Sequence, residues 1–112
     1  MVSRISHTTF DCHDAFPTST FWKNVLGYAD GPGDPNEPGD EECMIVSPNS
    51  VHRLLFIEVP NEKRGKNRLH FDIQPHTGSR DEEVQRVVAL GAREVADERD
   101  HYGPGIGWVV LQ

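Results

Sequence analysis

With 112 residues, the chain suffices for one compact domain with a modest core and is too short for two independent ones. No apolar run approaches the roughly 20 residues of a membrane span, and the opening Met1-Val-Ser-Arg4 leads into a strand pattern rather than an apolar signal stretch. A net charge of -7, with basic residues clustered only at Lys63, Arg64 and Lys66, argues against nucleic acid and membrane surfaces as partners, while Cys12 and Cys43, without CxxC spacing, fit reduced thiols in a cytoplasmic protein.

Residues 5–11 alternate in the period of two that marks a half-buried strand, with His7, Thr9 and Asp11 on one face and Ser6, Thr8 and Phe10 on the other. Asp14 is placed to cap a helix beginning near Ala15. That helix tolerates Pro17 in its first turn, spaces Phe21 from Val25 and Trp22 from Leu26 at i, i+4, and stops at Gly27. Residues 30–42 hold three Pro and three Gly among seven acidic or amide side chains, a composition expected to form a mobile loop. Two strands follow, over 43–47 and 53–59, joined by the turn-forming Pro48-Asn-Ser50. In the second of these Leu54, Phe56 and Glu58 share a face, which is expected to line a cavity. Residues 61–66 are the expected linker.

The order then repeats. Residues 68–73 read as a strand, Ser79 and Glu82 make the S-x-x-E capping box of a helix with Val84, Val87 and Val88 on its apolar face, Gly91 ends that helix, and residues 93–96 and 108–111 are the next strands. Three matches carry the repeat: His7 to His70 at an offset of 63, Leu26-Gly27 to Leu90-Gly91 at 64, and Met44-Ile-Val46 to Trp108-Val-Val110 at 64. The expected architecture is α+β. Two tandem βαβββ modules, about residues 1–61 and 66–112 of a single domain, form a cupped mixed sheet with helices on its outer face. Added to Glu58, the offset lands at 121 or 122, beyond Gln112, so the second module lacks its last strand in this chain. Either truncation or a partner chain accounts for the gap, and truncation is the simpler account because an open sheet edge beside a core is an aggregation hazard.

His7 and His70, at matched positions of their modules, can meet in one site, and Glu58 adds a carboxylate. A set of two His and one carboxylate suits non-haem iron, while zinc, nickel, manganese and cobalt accept the same donors, so donor type does not select the metal. Each residue also has a structural reading, the histidines as hydrogen-bonded core groups and Glu58 as a solvated strand end before Pro60. Trp22 is expected in the core, whereas Trp108 follows the turn of residues 103–107 at the rim of the cup. Thr9, Phe56, Asp72 and Trp108 are the candidate substrate-pocket residues. His52, His76 and His101 fall in turns or loops and His13 beside a helix start, none with a partner at ligand spacing, although His101 and Tyr102 can reach a ligand from their loop. No nucleophile triad, P-loop or GxGxxG competes.

The segments Ile5-Ser-His-Thr-Thr-Phe-Asp11, Phe21-Trp-Lys-Asn-Val-Leu-Gly27, Gly65-Lys-Asn-Arg-Leu-His-Phe-Asp72, Val88-Ala-Leu-Gly-Ala92 and Gly107-Trp-Val-Val-Leu111 resemble the vicinal oxygen chelate superfamily, in its glyoxalase-like branch. The resemblance covers the whole chain. It implies paired βαβββ modules, a homodimer, and one of two functions. The first is a metal-dependent lyase, isomerase or dioxygenase acting on a small oxygen-rich molecule, with His7, Glu58 and His70 matching three of the four ligand positions of metal-binding members and Glu58 also available as the proton-moving carboxylate. The fourth position, a Glu on the eighth strand, has no counterpart here. The second is a metal-free protein that binds a small molecule or antibiotic, as bleomycin resistance proteins do.

Overall fold

Alternation places Thr8, Phe10 and Cys12 half inward and Thr9 and Asp11 outward, which makes Thr8–Cys12 the first strand, β1. The computed structural model describes residues 2–60, 62–63, 65 and 67–112. Of the expected linker, Asn61, Arg64 and Lys66 lie outside the described residues. The chain divides into two compact units, Met1–Lys66 and Asn67–Gln112. Among the described residues, no helix is long and apolar enough to cross a membrane.

In the first unit β1 is followed by α1 (Ala15–Leu26), β2 (Ala29–Asp30), β3 (Glu42–Val46) and β4 (Arg53–Glu58). The Asp14 side chain makes no cap bond, contrary to the sequence expectation. The reason lies two residues inside the helix: an N-cap side chain bonds the N2 or N3 amide, and the N3 residue is Pro17, which has no N–H. Gly27 ends α1 in the left-handed region at φ 68°, donating its amide to the Lys23 carbonyl. The sheet order is β1-β4-β3-β2, with β1 parallel to β4 and the other neighbours antiparallel. Ala15, Cys43, Ile45, Leu54 and Phe56 form the buried core beneath α1, and Phe10 stacks on Phe56 with ring centroids 5.5 Å apart.

The segment expected as a mobile loop is anchored at both ends. Asp30 lies in β2, and its carboxylate accepts from Lys23 Nζ at 3.2 Å, from the Asn36 amide at 3.2 Å and from Asn36 Nδ2 at 2.8 Å, while Nδ2 also donates to the Met44 carbonyl at 2.8 Å. Composition registers Pro and Gly; it does not register one carboxylate collecting donors from a helix and a loop.

The second unit holds α2 (Arg80–Ala89), β5 (Glu94–Asp97) and β6 (Val109–Leu111), with β5 antiparallel to β6 and an irregularity between Glu94 and Ala96. The Ser79–Glu82 capping box forms in both directions. Residues 68–73 do not form the expected strand. In the first unit the corresponding strand, β1, is held by five parallel pairs to β4. The second unit has no described element in the place of β4, and a strand without a neighbour has no ladder to join. Among the described residues, the second unit therefore consists of a helix and two strands.

Candidate functional site

The first unit has a sheet with one covered face and one open face, and the register assigns each side chain to one of them. Paired residues in neighbouring strands project to the same side. Thr8, Phe10 and Cys12 pair with Leu54, Phe56 and Glu58, and Phe56 and Leu54 pair with Cys43 and Ile45, so these residues belong to the side beneath α1. The intervening residues make the open face. Thr9, Leu55 and Met44 form one row across it, and Asp11, Ile57 and Glu42 form the next. Leu55, Ile57 and Met44 are half-buried. His7 immediately precedes β1, and continued alternation puts it on the side of Thr9. It is exposed, with Nδ1 3.0 Å from Ser6 Oγ.

This geometry corrects two expectations. Phe56, expected in the substrate pocket, is 1% exposed and belongs to the core. Glu58 pairs with Cys12, five residues beyond His7, which at about 3.3 Å per residue separates the two by roughly 16 Å along the strands and sets them on opposite faces. A metal ion needs its donors within about 2.0–2.6 Å, so His7 and Glu58 do not share one. Alternation misassigned the strand because Leu54-Leu55-Phe56-Ile57 is apolar on both sides, leaving no polar residue to mark the open face. Among the described residues, no group of three or more His, Cys, Asp or Glu side chains is placed to hold a metal ion.

Neither cysteine offers a nucleophile. Burial pushes the thiols of Cys12 and Cys43 above their usual range, and Cys12 Sγ donates to the Ile57 carbonyl at 3.5 Å. Asp30 moves the opposite way: burial alone would raise its pKa, but the donors from Asn36 and Lys23 outweigh burial and hold it below the ordinary value. His52, expected in a turn without a partner at ligand spacing, shares a 2.6 Å hydrogen bond between its Nδ1 and the Tyr28 hydroxyl, which ties the end of α1 to the turn before β4. Twenty-four residues separate the two, and no local pattern signals the pairing.

In the second unit, His70 Nδ1 lies 3.4 Å from Asp72 Oδ1, and both side chains are exposed. A cavity of about 260 Å³ opens between α2, residues 73–75 and β6, lined by Ile73, Val84, Val87, Trp108 and Leu111 among others. Arg99 ties β5 to α2, pairing with Glu94 at 2.9 Å, Asp97 at 3.1 Å and Asp81 at 3.3 Å. Hydrogen bonding from Arg80, with Arg99 nearby, lowers the pKa of Asp81.

The sequence pattern of the glyoxalase-like domain family matches residues 7–112. No curated protein matches the sequence. Among solved structures, the fold is similar to that of a mutant of the genomically encoded fosfomycin resistance protein FosX from Listeria monocytogenes, complexed with Mn(II) and 1S,2S-dihydroxypropylphosphonic acid. The TM-score is 0.61 at 21% identity, over 87% of this chain and 74% of that one. It is also similar to a possible glyoxalase from Bacillus cereus, with a TM-score of 0.59 at 15% identity, over 98% of this chain and 97% of the other.

Proposed function

The chain belongs to the glyoxalase-like domain family of the vicinal oxygen chelate superfamily, and from that premise we propose that it binds a small molecule on the open face of the first unit's sheet, through apolar contact and hydrogen bonds rather than through an ion held by His7, Glu58 and His70. The register of β1 on β4 carries this reading. Beside Thr9 it sets Leu55 and Met44, and beside Asp11 it sets Ile57 and Glu42. A ligand laid across these strands meets an apolar floor with hydrogen-bonding groups at its margins, the usual make-up of a small-molecule site. Glu58 stands on the other side.

A metal-dependent lyase, isomerase or dioxygenase is the second reading, favoured by the place of His7 next to the open face. It requires a carboxylate other than Glu58. Metal analysis of untagged protein purified without chelator, together with His7→Ala and His70→Ala variants, separates the two. The expected result is substoichiometric transition metal in all three proteins. One ion per chain in the wild type, lost in both variants, would reverse the order of the readings.

A further inference from the structure

Residues 98–108 connect β5 to β6 as a closed loop. The Glu98 amide donates to the Trp108 carbonyl at 2.8 Å, the His101 amide to the Glu98 carbonyl at 3.2 Å, and the Ile106 amide to the Gly103 carbonyl at 3.1 Å. Asp100 sits in the left-handed region at φ 63°, and its carboxylate accepts from the Gly105 amide at 2.6 Å. Gly107, at φ 153°, lies so close to the Glu98 carbonyl and the Arg99 backbone that no Cβ fits there. Strain of this kind persists only where the surroundings over-determine the conformation, and it holds the loop in one shape before any ligand arrives.

That shape displays rings. Tyr102 and Trp108 are 67% and 47% exposed, yet their rings stack at 5.8 Å with only 26° between their planes. The His101 imidazole packs against both, 4.6 Å from Tyr102 and 6.2 Å from Trp108, and its Nδ1 meets the Glu98 carboxylate at 2.9 Å. Residues 94–102 carry four acids against the single Arg99, and Arg99 is directed to Glu94, Asp97 and Asp81. Ring faces are electron-rich and favour a cation, and carboxylates beside them add to the preference.

We infer that Tyr102 and Trp108, with Glu98 alongside, form a preformed platform on which a planar organic cation stacks. The inference stands apart from the reading of the first unit: metal content tests that reading, cation binding tests this one, and the two fail separately. The experiment is a titration of untagged protein with N-methylquinolinium and, as a planar anion of similar size, 2-naphthalenesulfonate, following the indole N–H signals of Trp108 and Trp22 by NMR. The expected result is a saturable shift at Trp108 with the cation, Trp22 unmoved, and the anion weaker by about tenfold. Tyr102→Ala weakens the cation by about tenfold, Tyr102→Phe keeps its affinity within about twofold, and Glu98→Gln narrows the gap between cation and anion. Equal affinity for the anion, no saturable cation binding, shifts confined to Trp22, or Tyr102→Ala at wild-type affinity would each overturn the inference.

Discussion

In the first unit Leu54 and Phe56 sit between β1, β3 and α1 with almost no exposure, whereas in the second the similarly alternating Leu69, Phe71 and Ile73 are 81%, 37% and 41% exposed. Among the described residues, seven buried apolar side chains belong to the first unit, and Val87 alone belongs to the second. The two units share a sequence pattern and differ in their neighbours. Alternation marks a segment as able to pair, and only a strand beside it makes it a strand. The first unit is accordingly held by burial between residues distant in sequence. The second relies on local devices: a capping box, the Arg99 ion pairs and a tightly bonded loop.

The widest contrast lies between Phe56 and Leu69. Phe56→Ala is expected to cost about 3–5 kcal/mol, and Leu69→Ala less than about 0.5 kcal/mol, measured by the urea midpoint. A comparable loss at Leu69 would break the comparison, because it would mean that residues 68–73 are packed in solution. Next comes Gly107→Ala, which should cost about 1–3 kcal/mol by forcing a Cβ against the Glu98 carbonyl, and which should loosen β5 and β6 while leaving hydrogen-exchange protection at Leu54–Ile57 unchanged. Loss of protection in both regions would show that the units unfold together. Ser79→Ala removes half of the capping box at the start of α2 and is expected to cost about 1 kcal/mol, read from helical circular dichroism on thermal melting.

The smallest effect belongs to Asp30 and depends on pH. Its folded pKa lies below its ordinary value of 3.8, so its stabilisation is complete above that value and is lost as the pH falls through the folded pKa. Asp30→Asn should therefore be less stable than the wild type at pH 7, with the difference closing below about pH 4. A difference that persists unchanged at pH 2 would assign the anchoring to shape rather than charge.

The legible parts of the fold were those set within a few residues. Gly27 closing α1 and the Ser79–Glu82 box opening α2 both follow from local backbone chemistry, and both stand as read. Apart from the Asp14 cap, which Pro17 removes locally, the expectations that fail are those a distant partner decides. The β2 strand of Ala29–Asp30 exists through Ile45 and Val46, and residues 68–73 miss a partner that their own sequence does not specify. The candidate site divides in the same way. The outward side of Thr9 and Asp11 follows from alternation along β1. Glu58 is expected beside them from the resemblance and because β4, apolar on both sides, does not mark its open face, whereas the pairing of Cys12 with Glu58 puts it on the side of Cys12.

Cys43, with no exposed surface near the start of β3, gives the first unit a built-in clock. A thiol reagent reaches its sulfur only when the sheet opens, so the labelling rate counts openings directly. Structure at equilibrium thereby becomes a measurement of how often the core comes apart.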